Sequence, residues 1–279
     1  GSTVGVLAQA TPLRSASGEI SRVVMVFQDI TRLREADQLK DDFLSLVSHE
    51  FRTPLTAIHG GAQLLLRDGE SLAAAERREL LNDVAVESER LDRMLANLLS
   101  LAAIMAGRMQ AATEPVLLQS LVRTIAADAQ RSYPPYQFPV EFPPGLPPVE
   151  ADPDLLRQVL RNLYENAVKY STGEGQVRTA ATWNDETVHL SVIDQGIGIA
   201  AEHVREVFER FRRPGADPGV RGMGLGLYLS RLLIEAQGGR IWAESAGRGK
   251  GATFTIELPI ADQGDDPALR RAGSGNRVG

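Results

Sequence analysis

The chain has 279 residues, of which 43% are hydrophobic, so it can bury a core and hold more than one domain. Its net charge of -6, with basic residues scattered along the sequence, excludes the basic patch of a nucleic-acid-binding protein. The chain contains no cysteine, which excludes disulfides, thiolate metal sites and a cysteine nucleophile.

The sequence contains no apolar run of membrane-spanning length and no visible signal peptide. It begins Gly1-Ser2, which is typical of a cleavage scar on a fragment. We therefore expect a cytoplasmic chain with no membrane segment of its own, and we leave open a membrane anchor upstream of it.

Residues 1–31 contain two β-branched runs on either side of the turn sequence SASGE, which predicts a β-hairpin ending near Thr31. The hairpin resembles the last two strands of a PAS sensor domain, in which the sequence DIT commonly marks the exit into a helix. The resemblance implies a C-terminal remnant of such a domain, to which we assign no ligand.

Residues 32–109 are predicted to form two helices separated by a break at RDGES. Each helix carries an apolar seam: Leu44, Val47, Phe51, Pro54, Ile58, Gly61 and Leu65 in the first, and Val84, Leu91, Leu98 and Met105 in the second. One antiparallel hairpin cannot bury both seams. The pattern therefore predicts a homodimer in which two hairpins form a four-helix bundle.

Residues 113–262 alternate helix and strand patterns, which predicts an α/β domain. The helix is LLRQVLRNLYENAVKY, and the clearest strands are QVRTAATW, TVHLSVI and ATFTIELPI. The polar, Gly-rich residues 263–279 are predicted to be a disordered tail.

One histidine of the first helix has chemically useful neighbours. His49 lies off the apolar seam, and Arg52 and Thr53 follow it one turn later on the same face. The adjacent Glu50 can accept a proton from the imidazole Nδ1, which makes Nε2 the better nucleophile, and Pro54 permits a bend beside the site. The alternative interpretation, a surface or core histidine, is our expectation for His59, His189 and His203.

The helix of the α/β domain carries a polar stripe made of Asn162, Asn166 and Lys169. Amide oxygens are hard donors suited to Mg²⁺, which is usually shared with substrate phosphates, and a lysine can meet a phosphate as a point charge. A solvated helix face is the alternative explanation of the stripe.

Two glycine-rich segments follow. DQGIGI places Asp194 at the end of a strand, where it can accept a hydrogen bond from an exocyclic amine, and Gly196 and Gly198 let a planar ring approach the backbone. GMGLGL precedes a helix whose N–H groups can receive phosphate. No strand leads into GMGLGL, and Lys250 of GRGKGAT is followed by glycine, so neither a dinucleotide fingerprint nor a P-loop is present.

Five segments in this order resemble the motifs of bacterial sensor histidine kinases. They are SHEFRTPL (phosphoacceptor box), NLYENAVKY (N box), DQGIGI (G1 box), FERF (F box) and GMGLGL (G2 box). The resemblance runs from about Arg32 to Ile260 and implies a multidomain α plus α/β protein. Its expected parts are a dimeric four-helix bundle and an α/β sandwich of the Bergerat ATP-binding type.

The resemblance also implies what individual residues do. His49 attacks the γ-phosphate of ATP, with Glu50 as general base and Arg52 beside it, and passes the phosphoryl group to a response regulator, while Thr53 positions water for dephosphorylating that regulator. Asn166, helped by Asn162, coordinates Mg²⁺, and Asp194 binds the adenine amine. The remaining nucleotide-binding positions are Lys169, Tyr170, Gly196, Gly198, Phe208, Phe211, Arg213, Gly222, Gly224, Leu225 and Gly226, with an ATP lid from about Arg212 to Arg221.

Two alternatives are weighed against this kinase. A gyrase-like or Hsp90-like ATPase without phosphotransfer explains the asparagines and glycines but gives the His-Glu-x-x-Thr helix no purpose. A silent dimeric scaffold that only binds a response regulator has no need of Asn166 and Asp194.

Overall fold

The computed structural model describes residues 5–14, 20–69, 71–171, 173–212 and 224–262. The chain divides into two compact units, Gly1–Leu91 and Asp92–Gly279. Within the described ranges, no helix is both long and apolar enough to span a membrane. The predicted tail and nearly all of the predicted ATP lid lie outside these ranges. The predicted domain boundaries stay predictions.

The first unit begins with the predicted hairpin. Strands β1 (Val6–Arg14) and β2 (Ile20–Asp29) pair antiparallel, with Val6 opposite Asp29. The SASGE turn itself lies outside the described residues, and the resemblance to a PAS domain stays a prediction. Strand β2 exposes large apolar side chains at five consecutive positions, Val23, Val24, Met25, Val26 and Phe27.

Two long helices follow, α1 (Thr31–Asp68) and α2 (Ala74–Met105). Helix α1 continues through Pro54, which is buried. Helix α2 ends before the predicted Met109, because Gly107 adopts a left-handed conformation with φ of 62° that ends the helical turn.

The predicted seam of α1 faces α2 at one close approach. A Cβ added to Gly61 would lie 2.8 Å from Val84 Cγ2, so the backbone of α1 lies directly against that side chain. The other described seam residues of α1 are buried or half-buried, whereas the side chain of Leu44 lies outside the described set. The two helices still expose large apolar side chains, at Leu55, Leu64, Leu66, Leu81, Val86, Leu95, Leu99 and Met105.

The α/β part of the second unit is built on a five-stranded mixed sheet of order β10-β11-β9-β8-β5. Its strands are β5 (Val140–Glu141), β8 (Arg178–Trp183), β9 (Thr187–Ile193), β10 (Arg240–Glu244) and β11 (Thr253–Pro259). Two small sheets flank it: β3 (Glu114–Val116) pairs with β6 (Val149–Ala151), and β4 (Tyr136–Gln137) pairs with β7 (Gly175–Gln176).

Helices α3 (Leu118–Ser132), α4 (Pro153–Lys169) and α5 (Gly226–Glu235) pack against this sheet and enclose the core. Strand β9 alternates, burying Val188, Leu190 and Val192. Helix α4 buries an apolar face made of Leu156, Val159, Leu160, Leu163 and Ala167, together with Tyr164, whose hydroxyl lies 2.7 Å from Thr179 Oγ1. The α/β sandwich predicted from the sequence is therefore the observed architecture.

The contact at Gly61 yields a matched pair of substitutions. Gly60→Ala, which meets open space, should stabilise α1 by about 1 kcal/mol through helix propensity. Gly61→Ala must displace Val84, whose branched side chain is rigid in a helix, and overpacking costs about 1–3 kcal/mol. We therefore expect the Gly61 variant to unfold at the lower temperature when helix content is followed by circular dichroism.

An internal control exists because both tryptophans, Trp183 and Trp242, lie in the other unit. Their fluorescence transition should not differ between the two glycine variants. Equal helix melting temperatures for the two variants would contradict the close approach of Gly61 to Val84.

Candidate nucleotide site and phosphoacceptor helix

A pocket opens where β9 ends, beside α4. Four of the predicted nucleotide-binding residues line it: Asn166, Tyr170, Asp194 and Gly198. The other lining residues are Ile197, Ile199, Val207, Arg212, Leu227, Ala252 and Phe254. The pocket is thus mostly apolar with a few polar groups, which is the usual composition of a small-molecule site.

Asp194 is the buried acid of the pocket, and its side chain ties two segments together. The residue is 8% exposed, and its Oδ1 accepts hydrogen bonds from the backbone N–H of Gly196 (2.8 Å) and of Ala252 (3.1 Å). Burial raises the pKa of this carboxyl above its usual value, while the two backbone donors act in the opposite direction.

Close backbone contacts explain why glycines follow Asp194. A Cβ on Gly196 would lie 2.5 Å from the carbonyl oxygen of Tyr170. Gly198, with φ of +67°, would place a Cβ 2.1 Å from the carbonyl oxygen of Gly247. Any side chain at these two positions would displace the backbone that forms one wall of the pocket.

The loop 245–252 supports that wall, a role the sequence analysis did not assign. Ser245 Oγ donates to the carbonyl of Gly251 (2.6 Å) and accepts from the N–H of Ile199 (3.0 Å). Gly249 N–H donates to the carbonyl of Ile197 at 2.7 Å. The segment GRGKGAT, already excluded as a P-loop, therefore braces the DQGIGI segment.

The residues of the polar stripe on α4 lie in different environments. Asn166 lines the pocket, but Asn162 is outside the lining set, and its Nδ2 donates to Ser230 Oγ of α5 at 2.9 Å. A Cβ on Gly226 would lie 2.2 Å from Asn162 Oδ1, so Gly226 lets α5 approach that amide. Lys169 is exposed, with Nζ 5.2 Å from the ring centroid of Tyr170.

The F and G2 segments meet beside the pocket. Phe208 is buried and packs edge-on against Phe254, with ring centroids 6.3 Å apart. Phe211, with φ of 60°, donates its N–H to the carbonyl of Gly224 at 3.1 Å, and the buried Leu225 caps α5. The predicted positions Arg213 and Gly222 lie outside the described residues.

Arg212, predicted as the start of the ATP lid, is the one residue of that predicted lid that the structure describes. It lines the pocket, and its guanidinium forms ion pairs with two neighbouring acids: Nε lies 3.2 Å from Glu209 Oε2, and Nη1 lies 3.8 Å from Glu206 Oε2. The run of two adjacent arginines was a usable signal, but the sequence does not say which of the two faces the pocket.

On α1 the structure exposes the candidate nucleophile. His49 and Arg52 are exposed, and Thr53 is half-buried. Thr56 donates its hydroxyl to the carbonyl of Arg52 at 2.8 Å, so that hydroxyl is engaged by the helix itself. The arrangement leaves the imidazole of His49 accessible to another active site.

Glu50 is turned towards α2. The side chain of Glu50 is 11% exposed, and its Oε2 lies 3.8 Å from Arg90 Nη2. The other terminal nitrogen of Arg90, Nη1, lies 3.5 Å from Glu87 Oε2. Within the described residues, Glu50 Oε2 is buried and makes no hydrogen bond. In this conformation Arg90 holds the carboxylate electrostatically without a hydrogen bond.

Two of the other histidines have acidic partners in the α/β part. His189 Nε2 lies 3.0 Å from Glu257 Oε2, and His203 Nδ1 lies 3.2 Å from Glu206 Oε2. Among the residues described, no group of three or more His, Cys, Asp or Glu side chains could hold a metal ion.

Comparison with known proteins identifies two domains. Residues 39–107 match the family model of the His Kinase A (phospho-acceptor) domain. Residues 151–262 match the model of the histidine kinase-, DNA gyrase B- and HSP90-like ATPase. His49 lies in the first matched range, and the lining residues of the pocket lie in the second.

Individual relatives extend the similarity over most of the chain. The sensor histidine kinase WalK of Bacillus subtilis is 34% identical over 258 residues, which cover 89% of this chain and 41% of WalK. ShkA, solved in complex with AMPPNP, is 30% identical with a TM-score of 0.56, covering 79% of this chain and 46% of ShkA. The histidine kinase ThkA, solved with the response regulator protein TrrA, shares the fold at 24% identity and a TM-score of 0.55, covering 91% of this chain and 74% of that one. The chain thus spans less than half of the length of WalK.

The burial of Asp194 predicts a pH-dependent effect of Asp194→Asn. The asparagine oxygen can keep both backbone hydrogen bonds, while the substitution removes the buried charge. Because burial raises the folded-state pKa of Asp194, its contribution to stability is complete below the unfolded value of about 3.9 and is lost as the pH rises through the folded value. We therefore expect the variant to gain stability over wild type at about pH 7, and that gain to shrink below about pH 4.

Urea denaturation followed by tryptophan fluorescence measures this difference in the α/β part. Comparing variant and wild type at each pH cancels the titration of all other groups. A gain that is the same at both pH values would contradict the stated origin of the pKa shift.

Proposed function

We propose that this chain, which carries a His Kinase A (phospho-acceptor) domain and a histidine kinase-like ATPase domain, transfers the γ-phosphoryl group of ATP to its own His49 and then to an aspartate of a response regulator. The observation that carries the proposal is the pairing, on one chain, of an exposed histidine in a phospho-acceptor domain with a pocket containing Asp194 and Asn166 in an ATPase domain. ATPases of related fold without phosphotransfer have no use for the first element.

His49 is the proposed nucleophile through Nε2. Glu50 is its proposed general base, a role typically worth roughly 10²–10⁴-fold in rate. Because the carboxylate of Glu50 is now directed at Arg90, it must turn from α2 towards the imidazole to act. Arg52, exposed on the following turn, supplies a positive charge close to the phosphoryl group on His49.

The pocket residues would bind and orient the nucleotide. Asp194 would accept a hydrogen bond from the exocyclic amine of adenine, and the glycine-lined wall would receive the ring. Tyr170 and the exposed Lys169 would contact ribose and phosphate, and the N-terminus of α5 would face phosphate oxygens. Phosphoryl transfer depends mainly on such positioning and charge stabilisation.

Mg²⁺ is the proposed metal, held by Asn166 together with phosphate oxygens and water. The amide oxygen in the pocket is the hard donor that Mg²⁺ prefers, and the lack of an acidic cluster in the described part fits an ion that arrives with its nucleotide. Held there by Asn166, the ion would supply charge neutralisation for the transferring phosphate. Asn162 would contribute as a second ligand or, through its bond to Ser230, by fixing α5 beside the pocket.

His49 belongs to the phospho-acceptor domain and the pocket to the ATPase domain, and the proposed reaction needs the nucleotide and the histidine to meet. We propose residues 106–113 as the hinge. Gly107, with its left-handed backbone, lies within this segment, two residues after the last helical residue, Met105.

A homodimer and a response regulator are the proposed partners. The apolar side chains that α1 and α2 expose support a four-helix bundle made by two chains, because a single hairpin leaves them in water. The fold shared with ThkA, which was solved with a response regulator protein, supports a receiver domain as the second partner.

We also propose that Thr53 gives the protein phosphatase activity towards that regulator. Thr53 lies one turn after His49 and is half-buried, so its hydroxyl can position a water molecule beside the same docking face. The proposed kinase reaction uses the imidazole of His49 and assigns no role to the hydroxyl of Thr53.

The kinase proposal is tested by incubating the protein with Mg²⁺ and γ-labelled ATP. We expect label that is lost in acid and survives alkali, as a phosphohistidine does, and that disappears in His49→Gln. His59→Gln is the matched control, because His59 is also exposed on α1. Label that persists in the His49 variant would contradict the assignment.

The phosphatase proposal predicts that Thr53→Ala keeps autophosphorylation within about twofold but lengthens the lifetime of the phosphorylated regulator by roughly 10-fold or more. Thr56→Ala is the control, since its hydroxyl is engaged by the Arg52 carbonyl. Regulator lifetimes that are equal with wild type and the Thr53 variant would remove this residue from the mechanism.

A further inference from the structure

The described wall of the pocket carries little charge to meet a nucleotide. Among its described lining residues, Arg212 is the single basic one and Asp194 the single acidic one. Lys169 is exposed and is not part of the lining set. A diphosphate or triphosphate brings several negative charges into this site, so Arg212 is the cation that the described wall offers them.

The guanidinium of Arg212 is shared with two carboxylates. Glu209 Oε2 lies 3.2 Å from its Nε, and Glu206 Oε2 lies 3.8 Å from its Nη1. Glu206 Oε2 also lies 3.2 Å from His203 Nδ1, which gives that carboxylate a second partner. Glu209 is therefore the closer competitor for Arg212.

These ion pairs are weak enough to be exchanged. The side chains of Arg212 and Glu209 are 58% and 52% exposed, and an ion pair in that much solvent contributes little to stability. A guanidinium has five N–H donors in a planar fork that matches phosphate oxygens. A phosphate group can thus displace a carboxylate from Arg212 at small cost.

We propose that Arg212 binds the phosphate groups of the nucleotide and that Glu209, with Glu206, competes with the phosphates for it. This inference rests on the proposed function and adds a binding residue and its competitor to the same site. The competition lowers the affinity for charged nucleotides while leaving the affinity for the nucleoside unchanged. It therefore determines how readily ADP leaves after each phosphoryl transfer.

The experiment is calorimetric titration of the whole protein with ADP in Mg²⁺ and, separately, with adenosine. Arg212→Gln should weaken ADP binding by roughly tenfold and leave adenosine binding within about twofold. Arg210→Gln removes the same charge two residues away, from a side chain that stacks 5.6 Å from the ring of Tyr228 and is outside the lining set. We expect that control to change ADP affinity by less than about twofold.

The competitor is tested by a double-mutant cycle. Glu209→Gln should strengthen ADP binding by about twofold to fivefold without changing adenosine binding. The gain should vanish when Arg212→Gln is also present, because there is no longer a guanidinium to compete for. Arg212→Lys, which keeps the charge and loses the planar fork, should recover part of the lost affinity.

Three outcomes overturn the inference while leaving the proposed function standing. They are equal loss of ADP and adenosine binding in Arg212→Gln, an equal effect of Arg210→Gln, and a Glu209→Gln gain that persists without Arg212. A wild-type protein that binds neither ADP nor adenosine would instead overturn the nucleotide site itself, and the inference with it.

Discussion

The nucleotide pocket depends on one buried carboxylate. Asp194 directly follows β9, and its Oδ1 accepts hydrogen bonds from the N–H groups of Gly196 and Ala252, so a single side chain joins the segment after β9 to the residue that precedes β11. Burying a carboxylate is unfavourable, and these two donors offset only part of that cost, since the pKa of Asp194 stays raised. The same group is the proposed contact of adenine, so the fold and the binding site rely on one interaction.

Helix α4 connects that pocket to the core. Its apolar face is buried in the core, while the half-buried Asn166 lines the pocket and Asn162 bonds to Ser230 on α5. The helix begins with the Asp152 side chain accepting the N–H groups of Asp154 and Leu155, which fixes its first turn. The position of the asparagines is therefore determined by core packing, and a change in the apolar face of α4 would displace the site.

The helices and strands with strong hydrophobic periodicity were predictable from the sequence, and so were two polar residues of the pocket. Asp194 and Asn166 were found because a carboxylate at a strand end and amides on a buried helix are unusual in composition. Arg212 was predicted only as the start of the ATP lid, because the sequence does not say which of two adjacent arginines faces the pocket. Ser245 and the Arg90–Glu50 pair were missed, because each acts through a contact between segments distant in sequence. Local patterns carry no information about such contacts. The end of α2 was placed too late for a related reason, since Gly107 stops the helix by its backbone conformation.

The exposed strand β2 has a consequence for the colloidal behaviour of the chain. Residues 23–27 are uncharged, mostly β-branched and free of proline, and all five are exposed, with Phe27 at 63%. Apolar side chains thus cover both faces of this strand in a two-stranded sheet, which is the composition of segments that stack into cross-β fibrils. A surface of this kind favours concentration-dependent self-association through strand pairing. Solubility of the isolated chain is therefore expected to be limited by β2, a strand to which no step of the proposed reaction is assigned.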